Sequence, residues 1–394
     1  MRRVCSIAAL VVLGAAGAHV AHAGTPAHCT RALPQAPAGL PAPMVATTNC
    51  GLYGLEPTGG VVYEGPWKSP VPPGMSWSPV DLSWSGFSNG HILIGRGQRL
   101  LWRSHDRYRG THPGNIGEVV LGTRKLAFTY YTNFRRPPSL YLAGYKTRER
   151  RVGLAETPLV FTRGGELVTG QDRANGALLL RDGRGRLERR LAAHAADVEP
   201  DSATGSLVFR IRDRVLVFDG GQVRQLAYLP DVSITGSPWL ELVGGLVAVS
   251  DKRRLVVLRY DGSVFASTAL PARPASADRI SSSIVANAAG TAVAFTTTSG
   301  NTAYGSHGTE TVYELAAGQR QAQPLFSEEL DFRICERMAS LVWQGTWLLY
   351  ADSEEHAAAI DSSGESAPVE LSAVIAALPG FRADGDGRFD VAWG

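Results

Sequence analysis

Apolar positions in this chain come in short runs bounded by Gly, Asp and Ser. Leu100-Leu101-Trp102, Leu140-Tyr141-Leu142, Leu178-Leu179-Leu180, Val215-Leu216-Val217-Phe218, Leu255-Val256-Val257-Leu258, Val312-Tyr313-Glu314-Leu315 and Ala357-Ala358-Ala359-Ile360 each precede a tight turn. A second apolar run lies upstream of most of them, as in Leu207-Val208-Phe209, Leu246-Val247-Ala248-Val249, Val293-Ala294-Phe295 and Trp347-Leu348-Leu349-Tyr350. Short, β-branched or aromatic runs between turn residues predict strands. Asp182-Gly183, Asp219-Gly220 and Asp261-Gly262 supply the positive φ of tight hairpins. Turn centres near Ser104, Gly144, Gly183, Gly220, Gly262, Gly318 and Gly364 recur at intervals of 37 to 56 residues. The longest interval is read as an inserted loop at Thr298–Gly308. Only Leu371–Leu378 looks helical.

Hairpins recurring every 40 residues or so, without helices between them, predict an all-β chain. The expected fold is a β-propeller over residues 80–394, with seven blades of about 40–50 residues, or six if the first unit is irregular. A β-sandwich or two β-domains is the alternative.

Residues 24–79 differ in kind. They hold 11 of the 23 prolines and almost no charge, which predicts a Pro/Gly-rich wrapping arm or linker. Before them, Met1-Arg2-Arg3, the apolar stretch Val4–Val20 and Ala21-His22-Ala23 have the three parts of a cleaved secretory signal peptide, residues 1–23. The expected location is secreted, periplasmic or cell-envelope, with no integral membrane segment after cleavage. Cleavage leaves Cys29, Cys50 and Cys335. An oxidising compartment predicts one disulfide; Cys29–Cys50 is favoured as the local pair, with Cys50–Cys335 as the alternative.

The composition is 44% apolar and 19% charged, which excludes a polytopic membrane protein and charge-driven disorder. Loss of Arg2 and Arg3 lowers Lys+Arg from 39 to 37 against 36 acids, so basicity of the whole gives no reason to expect nucleic acid. Locally the charge is divided. Residues 96–190 carry 20 Lys+Arg against 8 acids, and residues 191–394 carry 15 against 25.

Aromatics interleave the basic part. Arg107, Arg109, Arg135 and Arg136 are candidate anion contacts, with Tyr130 and Tyr131 as stacking surfaces. Other motifs point to chemistry less directly. Gly86-Phe87-Ser88-Asn89-Gly90 matches a nucleophile-elbow string, but Ile92-Leu93-Ile94 follows where a helix is needed, so a plain turn is expected. His105, Asp106 and His112 share one loop, where Arg107 and Arg109 oppose a metal ion. Asp384, Asp386 and Asp390, spaced by glycines, resemble an integrin-type calcium loop, although Arg382 stands at its first ligand position. Calcium is thus the one candidate cofactor, and none is otherwise expected. Glu328-Glu329 with Asp331, and Asp352 with Glu354-Glu355, are read as solvated rim acids.

Two stretches carry a family resemblance. Ala289-Gly290 followed by Val293-Ala294-Phe295-Thr296 and Val312-Tyr313-Glu314-Leu315, and Asp201–Phe209 followed by Val215–Gly221 and Arg224-Gln225-Leu226, resemble the repeat of TolB-like propellers. The family's Ser-Pro-Asp-Gly signature is nowhere intact. The resemblance implies a secreted β-propeller with a protein-binding role. The functional expectation is an exported, non-catalytic, monomeric propeller that binds a protein or an anionic surface polymer. An exported propeller enzyme acting on a polysaccharide through loop carboxylates is the alternative.

Overall fold

The computed structural model describes residues 29, 32–48, 50–65, 76–77, 83–108, 115–132, 135–171, 176–229, 239–250, 253–270, 284–300, 307–331, 339–352, 356–381 and 391–393. Residues 1–23, expected to be a signal peptide, lie outside them. In chain order, the strands are β1 Met44–Thr48, β2 Gly51–Leu55 and β3 Val61–Gly65; β4 Ser76–Trp77, β5 Ser83–Ser88, β6 His91–Arg96 and β7 Arg99–Arg103; β8 Ile116–Leu121, β9 Lys125–Tyr130, β10 Ser139–Gly144 and β11 Arg150–Leu154. Next come β12 Glu156–Phe161, β13 Leu167–Gln171, β14 Leu178–Arg181 and β15 Leu187–Ala192; β16 Ala196–Asp201, β17 Ser206–Ile211, β18 Arg214–Phe218 and β19 Val223–Tyr228; β20 Trp239–Val243, β21 Leu246–Ser250, β22 Arg254–Arg259 and β23 Val264–Ala269. The last are β24 Ile284–Ala286, β25 Ala292–Gly300, β26 His307–Ala316 and β27 Gln323–Asp331; β28 Ala339–Gln344, β29 Trp347–Asp352, β30 Ala357–Asp361 and β31 Val369–Glu370; and finally helix α1 Ser372–Ala376 and β32 Val391–Trp393.

The fold is all-β, of the β-propeller class. The described residues form eight four-stranded sheets where seven repeats were expected; seven of them, from β4–β7 to β28–β31, are meanders. An eighth sheet has the order β3-β2-β1-β32. Residues 44–65, which the Pro-rich composition assigns to an arm, therefore form three strands. Their fourth partner lies far along the chain, with Met44 opposite Trp393, so no local pattern marks the sheet. The first repeat turns at Gly97-Gln98 rather than at Ser104. Of the residues read as an inserted loop, 298–300 and 307–308 extend a hairpin, with Ser299 facing Thr309 and Gly300 facing Gly308, and 301–306 lie outside the described residues. Gly86–Gly90 is the plain turn expected. Asn89 and Gly90 take φ of 51° and 80°, and Ser88 faces His91 across the hairpin.

The chain divides into two compact units. One holds residues to 68, 252–256 and 265 onward; the other holds 69–251 and 257–264. In the first unit the middle strands are buried on both faces. Leu348, Tyr350, Ala358 and Ile360 pack against Ala294 and Val312 of the sheet before. Their alternates Leu349, Ala351, Ala357 and Ala359 pack against Met44, Ala46, Tyr53 and Leu55 of the closing sheet, with Ile375 and Leu378 near α1. Two-sided burial is why these strands read as unbroken apolar runs rather than alternations. The Cys29–Cys50 disulfide is formed, as the local spacing favours. It sits beside Gly380, whose φ is +78° and where any Cβ would collide with Cys50.

In the second unit the same logic repeats. Ile92, Ile94 and Trp102 pack on Ile116, Leu126 and Phe128. Val160, Val168 and Leu180 pack on Leu207, Phe209 and Phe218. First strands of successive sheets, β8, β12, β16 and β20, lie next to one another. Fourth strands are outer edges, and they carry exposed arginines: Arg99 and Arg103, Arg150 and Arg151, Arg189 and Arg190. Their ladders also slip register, at Ile94/Gly95, Leu140/Tyr141 and Leu178/Leu179. Charge and bulges together block edge-to-edge pairing with another chain. Some of these cations also latch neighbouring sheets. Arg189 donates to the Gly221 carbonyl, Arg224 to the Tyr260 carbonyl and Lys125 to the Gly183 carbonyl.

Cys29→Ser should lower unfolding stability by about 3 kcal/mol, because the bridge closes a loop of some twenty residues. Denaturant melts with and without reductant check this, and the variant should no longer respond to reductant.

Candidate functional site

The basic loops converge. Ile116, Tyr130 and Ser139 stand opposite one another on β8, β9 and β10, so the 104–115 and 131–138 connections leave from one end of that sheet. Asn115 ties them, accepting from Tyr131 N at 2.7 Å and donating Nδ2 to the Tyr131 carbonyl at 2.8 Å. The 104–108 segment is built rather than loose. Ser104 Oγ accepts from Ile92 N at 2.9 Å and donates to the Asp106 carbonyl at 2.8 Å. Buried Glu149 accepts the His105 and Asp106 backbone N–H groups at 3.0 and 2.9 Å, and the Tyr108 hydroxyl at 3.3 Å. Asp106 is itself paired with Arg148 at 2.6 Å.

Glu149 and Asp106 are thus engaged within the protein, while Arg107, Arg135 and Arg136 stand exposed. Tyr131 is half-buried beside them. Tyr130 is not a stacking surface. It is 5% exposed and packs edge-on against Tyr108, ring centres 4.7 Å apart. Burial, reinforced by Glu149, holds the Tyr108 hydroxyl far above its ordinary pKa, so it remains a donor. Arg109 and His112, and the calcium candidates Asp384, Asp386 and Asp390, lie outside the described residues. Among the described residues no group of three His, Cys, Asp or Glu is arranged to hold a metal ion.

A second locus lies on the first strands of the same unit, and sequence reasoning missed it. Asp197 adopts φ +47° at an irregularity in the β16–β17 ladder. Its carboxylate lies 2.9 Å from Arg210 Nη2. Glu199 on β16 and Glu241 on β20 repel each other across adjacent strands. Burial first, then Asp197, pushes Glu199 up to about 7. Burial first, then Glu199, pushes Glu241 up to about 8. A signal existed in the sequence: Glu199 and Glu241 are 42 residues apart, the interval that also separates Gly220 from Gly262. The rim acids Asp352 and Glu328 prove partly buried instead. Asp352 holds His356 Nδ1 at 3.0 Å, and Tyr350 OH donates to Glu310 at 2.7 Å.

No family model and no curated protein matches the sequence. Among solved structures, the chain is similar to apo AztD from Citrobacter koseri, at 10% identity over 89% of this chain and 97% of that one, with a TM-score of 0.47. It is similar to BamB from Moraxella catarrhalis at 15% identity over 85% and 95% of the two chains, with a TM-score of 0.39. The Dos1 propeller shares 13% identity over 64% and 71%, with a TM-score of 0.40. None of these likenesses bears on what this chain binds.

The Glu199–Glu241 pair sets a pH dependence. Folding raises both pKa values above the unfolded carboxyl value, so the native state binds protons more tightly. Stability from this pair is complete below about pH 4.5 and falls as pH rises through 7 and 8. Glu241→Gln should flatten the thermal stability profile across that window and raise the melting temperature at its alkaline end. Scanning calorimetry across the pH series would show a profile unchanged from wild type if the pair were not coupled.

Proposed function

We propose that this protein is an exported, non-catalytic propeller that binds an anionic polymer at the arginine-bearing loop end of its second unit. The leader pattern and the Cys29–Cys50 bridge support export, since disulfides persist in oxidising compartments. One observation carries the binding assignment. Arg107, Arg135 and Arg136 are exposed on loops leaving one end of a sheet, and the acids in contact with the 104–108 segment, Glu149 and Asp106, are already hydrogen-bonded or paired. Exposed cations attract polyanions through a field that carries little selectivity for shape. Tyr131 offers a partly open ring alongside. No helix among the described residues is long and apolar enough to cross a membrane.

Heparin binding to residues 24–394, with dextran as neutral control, tests this at about 50 and about 200 mM salt. Wild type should bind heparin and weaken steeply with salt. Arg107→Ala/Arg135→Ala/Arg136→Ala should lose most of the affinity and about two to three units of log–log salt slope. Equal binding by wild type and the triple variant would refute the site.

A further inference from the structure

Two arginines of the second unit are buried on inner parts of neighbouring sheets, and the protein treats them differently. Arg181 is saturated: Nη2 and Nε reach the Glu156 carboxylate at 2.5 and 2.9 Å, and Nη1 donates to the Gly185 carbonyl at 2.8 Å. Thr169 completes the arrangement by donating to Glu156 at 2.7 Å. Arg210 is as deeply buried, at 6% exposure. Only its Nη2 is served, by Asp197. Its Nε and Nη1 are buried with no hydrogen-bond partner among the described residues. A buried donor left unserved is costly, the more so when it is charged. Its partner Asp197 is held in left-handed backbone geometry, which L-residues adopt at a further cost.

The surroundings define what those donors await. Leu207 and Phe209 of β17 belong to the core shared with the preceding sheet, so the alternating Val208 and Arg210 face the other way. Glu199 stands opposite Val208 on β16, and β16 lies beside β20, which carries Glu241. The guanidinium repels a cation, and its own charge is already matched by Asp197, so none is left over to hold an anion. Glu199 and Glu241 both tend towards their neutral form, so an uncharged polar partner meets the least resistance. Such a partner needs acceptors for Arg210 and hydroxyls for the two glutamates. Solvent can reach the place, because β16 is half-buried along nearly all its length and the Asp197 side chain is 29% exposed.

We infer that Asp197, Glu199, Arg210 and Glu241 form a recognition site for a neutral, hydroxyl-rich ligand, a saccharide unit. Ligand oxygens accept from Arg210 Nε and Nη1, Asp197 fixes the guanidinium, and ligand hydroxyls bond to Glu199 and Glu241. The site is independent of the polyanion surface, and either assignment can fail alone.

Isothermal titration of residues 24–394 with cellotetraose, maltotetraose and chitotetraose tests it, with glycine and acetate as zwitterionic and anionic controls. At least one oligosaccharide should bind saturably. Arg210→Lys and Glu241→Met should each weaken it at least tenfold, whereas Arg107→Ala/Arg135→Ala/Arg136→Ala should bind as wild type does. Should Arg210→Lys fail to fold, Glu241→Met decides. Binding of glycine or acetate in place of the saccharides, no binding at all, or full affinity in a folded Glu241→Met variant would overturn the proposal.

Discussion

Middle strands such as β29 and β30 are apolar on both faces, and this constrains what surrounds them. In β29, Leu348 and Tyr350 look one way while Leu349 and Ala351 look the other. A sheet of this kind needs a covering sheet on each side. Uncovering three large side chains would cost about 1.5–3 kcal/mol apiece. That is comparable with the roughly 5–15 kcal/mol by which a domain is stable at all. The closing sheet of β1–β3 and β32 answers the same need for the face of β28–β31 that bears Leu349 and Ala359. Small residues such as Ala357, Ala358 and Ala359 are the steric counterpart, letting neighbours approach a strand from both sides.

Arginine serves several purposes here, and burial separates them. On the outer strands it is exposed and keeps sheet edges from pairing. At Arg189 and Arg224 it also holds the turn of the next sheet. At Arg181 it closes a fully satisfied buried ion pair. Arg107, Arg135 and Arg136 are exposed on connections rather than on edge strands. That distinction selects them from a chain in which cations are abundant.

The repeats were legible because each one writes its own signal: a doubly apolar strand pair and, in three cases, an Asp-Gly turn. The first turn was misplaced because Leu100-Leu101-Trp102, read as the strand before the turn, belongs to β7, the strand after it. The closing sheet was illegible, since its partners are separated by nearly the whole chain. Arg107, Arg135 and Arg136 could be read as candidate contacts, because a positive charge is itself a surface signal. Tyr130 could not be read correctly. A tyrosine among arginines looks the same in sequence whether its ring meets solvent or Tyr108. The Glu199–Glu241 pair escaped notice for another reason: each acid looks solitary until the repeat register sets their strands side by side.

The antiparallel pairing of residues 44–46 with 391–393 also has a temporal meaning. A strand made early in synthesis waits for one made at the far end of the chain. Until then Met44, Ala46 and Tyr53 have a sheet but not its last strand. Contacts of such sequence separation are slow to form, because a very long loop must close first. The seven meanders are local and can form as their residues appear. Pairing of β1 with β32 therefore belongs to the late steps of folding.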